Sequence, residues 1–254
     1  MTDRQWEDIK DLLPPAKPGG RRRSLEMREV LNAIYYLLST GCQWRALPRE
    51  YPCWQSVYSY FRQWSRDGTW QRIHDTQRAR LRRKLQRHKH PTAGIIDSQS
   101  VKTAAHRGIR GYDAGKRVDG RKRHALVDTL GLLLCVIVTA ANVSDTAGAI
   151  ELIKRSRYLR GGSKKLRLIW SDQSYKVIVR EWLLRCHCLL SVVERPKQQK
   201  GFAVLPRRWV VERTFAWLTQ SRRLVKDYEE LPRHSEAMIY IAMTRLMTRR
   251  LASN

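Results

Sequence analysis

The sequence predicts an α/β protein in which a mixed sheet flanked by helices follows a small all-α domain. Apolar residues recur at helical spacing through the first ninety residues. From Thr92 the pattern changes to short apolar runs typical of strands, and the later runs alternate with helix-like segments. We therefore expect a helical domain over residues 1–90 and a sheet domain over residues 91–254.

The charge of the chain indicates a polyanionic partner. Its 254 residues include 50 Lys+Arg against 23 Asp+Glu, a net charge of +27. This excess is far larger than solubility requires, and nucleic acid is the default partner of such a chain. The longest apolar run, residues 130–143, is shorter than the roughly 18 residues of a membrane span and is interrupted by Gly131 and Thr139. No membrane partner is expected.

The N-terminal residues and the cysteines favour a cytoplasmic protein. The first residues lack the apolar core of a signal peptide. The five cysteines form no CxxC pair, so reduced thiols are expected rather than disulfides.

The predicted helical domain is of helix-turn-helix type. Helices are expected over residues 3–13, over 25–40 with Ser24 as N-cap and Gly41 as terminator, and over 54–64. A basic helix follows over residues 70–89. These helices either bind DNA or only brace the core, and the clustered arginines favour phosphate contact. The candidate contacts are Arg21, Arg22, Arg23, Arg82 and Arg83.

The order of elements in the second domain predicts its fold. Strands are expected over residues 93–101, 123–128 and 132–141, and then over 165–171 and 189–194. Helices are expected over residues 144–158, 175–186, 206–225 and 234–251, with Ser144 as an N-cap. Three antiparallel strands followed by helix, strand, helix, strand and helix is the order of a ribonuclease-H-like domain.

Three acids stand where such a fold can bring them together. Asp97 lies where the first strand turns polar, Asp172 ends the fourth strand, and Glu212 lies in a helical pattern. Carboxylates can hold divalent ions that activate the attacking oxygen and stabilise the leaving oxygen in phosphodiester chemistry. Mg²⁺ prefers such hard oxygen ligands. An isolated aspartate after a strand is more often a cap or salt bridge, and Asp128 is interpreted as structural.

Several motifs resemble one known family. They are GCQWRALP at residues 41–48, IDSQSVKT at 96–103, GRKRH at 120–124, VDTLG at 127–131, TAANVSD at 139–145 and RWVVERTFAWL at 208–218. With these motifs the chain resembles insertion-sequence transposases of the IS-five type, part of the DDE group, whose catalytic domain is ribonuclease-H-like.

The resemblance implies a site and an activity. It makes Asp97, Asp172 and Glu212 the catalytic and metal-binding triad, with Mg²⁺ as cofactor and Mn²⁺ as a substitute. Arg208 matches the arginine one helical turn before the glutamate and would contact a DNA phosphate or the carboxylate. The other basic candidates for DNA contact in the sheet domain are Lys102, Arg121, Lys122 and Arg123.

The implied reaction is DNA transposition. The protein would bind the terminal inverted repeats of its element, cleave the DNA, and join the 3′-hydroxyl ends to target DNA as a homodimer or higher synaptic complex. The chain departs from the family pattern at Val177, where glycine is usual, and at Leu205 and Thr219, where tyrosine and lysine are usual. A metal-dependent nuclease of the same fold and an inactive or domesticated DNA-binding protein remain open alternatives.

Overall fold

The computed structural model describes residues 1–16, 19, 23–104, 107–159, 166–175, 178–193 and 207–253. The chain divides into two compact units. The helical unit comprises Met1–Lys89, Gln220–Val225 and Ala237–Asn254, and the sheet unit comprises His90–Thr219 and Lys226–Glu236. In the described part of the chain, no helix is both long and apolar enough to cross a membrane.

The helices follow the predicted order with local differences. They are α1 (Asp3–Glu7), α2 (Met27–Thr40), α3 (Trp54–Arg66), α4 (Thr69–Lys84), α5 (Asp145–Arg155), α6 (Ile178–Arg185), α7 (Trp209–Thr219), α8 (Arg222–Val225) and α9 (Pro232–Ala252). The first predicted helix is divided into α1 and a 3-10 turn, Lys10–Leu12. The helix predicted over 206–225 is likewise divided, into α7 and α8.

The caps show which turn residues set the helix ends. Ser144 caps α5 as predicted, because its Oγ accepts a hydrogen bond from the Ala147 N–H at 3.2 Å. Gly41 ends α2 in the left-handed conformation, with φ of 73°. The prediction of Ser24 as N-cap of α2 is wrong, since the helix begins later and Glu26 takes the N-cap position without a side-chain bond.

Apolar faces of α2, α3 and α4 form the core of the helical unit. Ile34 and Leu38 of α2 are fully buried, and Phe61 of α3 is buried with them. Trp64 of α3 meets Trp70 of α4 edge to face, with ring centroids 5.1 Å apart. Such aromatic pairs add packing energy beyond their buried area.

One mixed sheet organises the other unit. Its strands are β1 (Ala93–Lys102), β2 (Gly111–Asp113), β3 (Val118–Asp128), β4 (Leu133–Ala140), β5 (Leu168–Ser171) and β6 (Leu189–Val192). The strand order is β2-β3-β1-β5-β6, and β4 also pairs with β3. Strands β1, β3 and β4 are antiparallel neighbours, whereas β5 is parallel to β1 and β6 is parallel to β5. This is the predicted ribonuclease-H-like arrangement; the short strand β2 was not predicted.

The two faces of β1 have different neighbours because side chains alternate across a strand. Ile96 points into an apolar core that includes Leu152 of α5 and Leu183 of α6. On the other face, α7 packs against β1 and β3. Asp97 therefore points away from that apolar core, on the same side as α7.

Candidate active site

Asp97 and Asp172 come from adjacent parallel strands. Asp97 lies within β1 and pairs with Ala125 of β3. The parallel register of β1 with β5 runs as far as Ile95 opposite Trp170. Continuing that register by two residues brings Asp97 level with Asp172, which directly follows β5. The sheet therefore places both carboxylates at the same level of two adjacent strands.

Arg208 links the strand acid to the helix acid. Its Nη2 atom lies 3.7 Å from Asp97 Oδ2 and 3.6 Å from Glu212 Oε1. Arg208 immediately precedes α7, and Glu212 stands one turn later, so both side chains lie on the same side of the helix. The three predicted acids thus lie around one short stretch of β1, with a guanidinium between two of them.

Burial dominates the electrostatics of Asp97. Desolvation raises the pKa of its carboxyl to about 6, and the charge of Asp172 acts in the same direction. The Ser98 N–H, Arg208 and Lys116 oppose this rise without cancelling it. Asp97 is therefore a carboxylate whose desolvation its protein partners do not offset.

The donor chemistry of this set fits a hard divalent cation. Carboxylate oxygens are what Mg²⁺ prefers, and two or three suffice because water and substrate phosphate complete its shell. Among the described residues, however, no group of three or more His, Cys, Asp or Glu side chains is arranged to hold a metal ion. In this arrangement the Arg208 guanidinium supplies the positive charge between Asp97 and Glu212.

Local bonds hold Asp172 at the end of its strand. Its Oδ1 accepts the Ser174 N–H at 2.9 Å and the Ser174 hydroxyl. Such an Asx-type turn fixes the carboxylate just beyond β5. Two of the predicted family departures, Val177 and Leu205, lie outside the described residues, whereas Thr219 ends α7.

Asp128, interpreted from the sequence as structural, has structural partners. Asp128 Oδ1 accepts hydrogen bonds from the backbone N–H groups of Leu130 and Leu132, each at 2.9 Å, and so closes the β3–β4 turn.

The face of β1 opposite Asp97 carries a largely buried polar network that sequence reasoning missed. We call it the Lys122 cluster, and its members are Ser98, Ser100, Asp113, Lys122 and Asp145. Its residues lie on four separate elements, so no sequence spacing indicates it.

The charges in the Lys122 cluster are paired with one another. Lys122 Nζ lies 3.1 Å from Asp113 and 3.0 Å from Asp145. The Ser100 hydroxyl, at 2.6 Å, and Lys122 hold the pKa of Asp113 well below its usual range. Burial alone would raise the pKa of Asp145, but hydrogen bonds from Ser98 and Lys122 lower it.

Three of the predicted DNA contacts in the sheet unit are buried. Arg121 donates to the carbonyls of Ile109, Glu229 and Glu230 and lies 3.3 Å from Asp227. Lys122 belongs to the cluster just described. Arg123 is 1% exposed, and its Nη1 donates to Gln99. Because these cations are enclosed and bonded within the protein, their placement argues against DNA contact, and we leave them out of the proposed DNA surface.

The other predicted contacts differ in accessibility. Lys102 and Arg83 are exposed, whereas Arg82 is buried and donates to the His88 carbonyl at 2.8 Å. Arg23 donates to the carbonyls of Pro14 and Pro15. Arg21 and Arg22 lie outside the described residues. In the helical unit, Arg83 thus remains the clearest candidate of the predicted set.

Curated relatives are insertion-element proteins. The chain is 33% identical over 114 residues to "Putative transposase for insertion sequence element IS402" of Burkholderia cepacia. This alignment covers 43% of this chain and 54% of that protein. It is 36% identical over 88 residues to "Insertion element IS402 uncharacterized 16.2 kDa protein" of the same organism, covering 32% and 60%. The matches therefore span about half to three-fifths of the length of these relatives.

A solved structure and two family models complete the comparison. The pre-cleavage Mos1 transpososome matches over 95% of this chain and 83% of that chain, but at 10% identity and a TM-score of 0.26, which is too low to support an argument. The model "Putative transposase of IS4/5 family" matches residues 1–74. The model "Transposase DDE domain" matches residues 88–247, well over half of the sequence. The chain therefore belongs to the DDE-domain transposases of the IS4/5 type.

Proposed function

We propose that this protein cleaves the DNA at the terminal inverted repeats of an insertion sequence and joins the 3′-hydroxyl ends to target DNA. The observation that carries the proposal is the convergence of Asp97 with Asp172 across parallel strands and with Glu212 through Arg208. These three carboxylates are proposed as both the catalytic groups and the ligands of Mg²⁺, with Mn²⁺ as a substitute.

The chain's own residues prepare this site. A bound cation would stabilise the Asp97 carboxylate, because this carboxylate is desolvated and lies near Asp172. When bound, the metal would activate the attacking oxygen and stabilise the leaving one. If Asp97 and Glu212 held a metal ion, the Arg208 guanidinium that lies near both carboxylates would be available to donate hydrogen bonds to a phosphate of the DNA.

The proposed partners follow from charge and mechanism. A net charge of +27 suits prolonged contact with DNA, and Lys102 and Arg83 are exposed basic residues on the two units. The proposed assembly is a homodimer or a higher synaptic complex, since transposition must hold two element ends together. The insertion-element relatives support this substrate class.

Strand transfer tests the proposal directly. The full-length protein is incubated with labelled element-end DNA and a plasmid target, with Mg²⁺ or with EDTA. Joined products are expected with Mg²⁺ and not with EDTA. The matched variants are Asp97→Asn, which should abolish joining, and Glu181→Gln on the exposed surface of α6, which should not.

The other outcomes separate the alternatives. Metal-dependent nicks without joined products would replace the transposase proposal with a nuclease. DNA binding without cleavage or joining in the presence of Mg²⁺ would indicate an inactive DNA-binding protein. Equal joining by the native chain and Asp97→Asn would remove Asp97 from the catalytic set.

A further inference from the structure

A cavity of about 570 Å³ lies within the helical unit, and its lining includes none of the residues assigned to catalysis. Its walls include Tyr35, Tyr36 and Ser39 of α2 and Arg245, Thr248 and Arg249 of α9. A cavity of this size lies in the usual range for small-ligand sites. These side chains can all donate hydrogen bonds, so a ligand rich in acceptor atoms would suit the cavity.

Tyr35 presents an unused donor to this space. Its side chain is buried, with 7% of the residue exposed, and its hydroxyl has no hydrogen-bond partner among the described residues. Burial also raises the pKa of Tyr35, so the hydroxyl keeps its proton. Because an unpaired buried hydroxyl costs free energy, this position needs an acceptor that the described protein does not supply.

Arg245 has no acidic partner among the residues that the structure describes. The guanidinium is half-buried, donates to the Ser39 hydroxyl and lies over the Tyr35 ring at 5.7 Å. Within the described residues it forms no ion pair, and burial lowers its pKa. Arg249 stands one helical turn further along α9, so two like charges share one face and repel each other. An anion between them would relieve that repulsion.

The acid that lines the cavity does not neutralise these arginines. Glu29 Oε1 accepts a hydrogen bond from Asn32 Nδ2 at 3.1 Å, and no ion pair joins it to Arg245 or Arg249 in the described part of the chain. The donors of Tyr35, Arg245 and Arg249 therefore share this space with an acid that accepts a hydrogen bond from Asn32, another lining residue, and that forms no ion pair with either arginine among the described residues.

We propose that this cavity binds a phosphate group, with Arg245 and Arg249 supplying the charge and the Tyr35 hydroxyl donating a hydrogen bond. Two arginines and a hydroxyl suit a tetrahedral oxyanion with several acceptor oxygens. The phosphate can be a free anion or a phosphodiester of DNA. This site is independent of the carboxylates that were assigned to DNA cleavage.

Binding can be followed in the full-length protein by NMR, using the backbone amides of residues 32–39 and the Arg245 side chain. Titration with inorganic phosphate should shift these signals with saturation. Tyr35→Phe should weaken the affinity about tenfold, and Arg245→Gln by at least as much, through loss of a charge-assisted hydrogen bond. Arg66→Gln, an exposed arginine on α3, is the matched charge control and should bind as the native chain does.

Tyr35→Phe separates binding from folding. Since the variant removes an unpaired buried hydroxyl, its melting temperature without phosphate should equal or exceed that of the native chain. Asp97→Asn should bind phosphate normally, so failure of this proposal and failure of the proposed catalysis are distinguishable. Native-like affinity in both Tyr35→Phe and Arg245→Gln, or shifts scattered over the basic surface without saturation, would overturn the proposal.

A second titration identifies the source of the phosphate. A short DNA duplex that shifts the same signals, and loses this effect in Tyr35→Phe, would assign the cavity to a backbone phosphate. Shifts with inorganic phosphate alone would assign it to a free anion. No shift with either probe would contradict the site itself.

Discussion

The two faces of β1 place carboxylates in contrasting surroundings. On one face, Asp97 is desolvated and lies near Asp172, and its pKa rises to about 6 although Arg208 is close. On the other face, Asp113 and Asp145 share Lys122 and accept serine hydroxyls, and their pKa values are lowered. Both groups of acids belong to the same sheet unit, so the fold as a whole does not explain the difference.

The contrast separates acids that stabilise the fold from acids available for chemistry. A buried ion pair with additional hydrogen bonds is complete, and removing one member leaves the other charge exposed to a low dielectric. A desolvated carboxylate beside a second carboxylate is destabilised in its charged form, and a bound cation would stabilise it. Acids on opposite sides of β1 can therefore be assigned to chemistry or to stability from their interaction partners.

The largest expected effect comes from matched substitutions on the two faces. Asp97→Asn should reduce strand transfer at least about a thousandfold, because metal-assisted stabilisation contributes several kcal/mol. It should leave the free energy of unfolding unchanged or increased, since a desolvated charge is removed. Asp113→Asn should instead cost about 3 kcal/mol of stability by leaving Lys122 with one acid. Strand-transfer assays and urea unfolding measure the two quantities.

The contrast between the faces would fail if both variants changed the same quantity. A large loss of stability in Asp97→Asn would mean that this carboxylate is also structural. Full stability with lost activity in Asp113→Asn would move the Lys122 cluster into the reaction.

A smaller effect on stability is expected where α5 packs against β3, on the side of the sheet that carries the Lys122 cluster. A Cβ at Gly148 would overlap the His124 ring of β3, so this glycine permits the close approach of helix and strand. Gly148→Ala should destabilise the protein by about 1–3 kcal/mol despite the better helix propensity of alanine. Combining it with His124→Ala should recover part of that loss in urea unfolding. A single variant as stable as the native chain would show that the two elements can separate freely.

The smallest effect concerns pH. Burial lowers the pKa of His124 to about 4, below its usual 6.5, so the folded state keeps the imidazole neutral. As pH falls from about 6.5 towards 4, the unfolded chain takes up the proton first, and this part of the stability is lost. Unfolding free energies measured across that window should fall less steeply for His124→Gln. Parallel curves for the two proteins would contradict the burial of a neutral His124.

The element order and the three acids were predictable from local signals. Apolar runs ending in Asp97 and Asp172, and the helical pattern around Glu212, indicated the strands and the helix on or beside which these acids lie. The antiparallel and parallel pairings then agreed with the predicted sheet. These features succeed because hydrophobic periodicity and strand order are properties of short segments.

The roles of the basic residues were not predictable in the same way. Arg121, Lys122 and Arg123 appear in the sequence as a basic run, yet all three are buried and engaged by distant carbonyls, amides or acids. Their partners include residues of β1, β2, α5 and the segment 226–236, each on a different element from the basic run. Burial and pairing arise from tertiary contacts, so composition alone assigned these cations to DNA.

The alternation of side chains along β1 has an evolutionary consequence. Asp97 and Ser98 differ by one position, and that difference decides which face each residue serves. Inserting or deleting a single residue earlier in the strand would exchange the parity of every later position, turning the reactive acid towards α5 and a serine towards Arg208. A substitution in this strand changes one side chain on one face, whereas a change of length alters the Asp97 site and the Lys122 cluster together. Lineages of this protein should therefore vary in the composition of β1 long before they vary in its length.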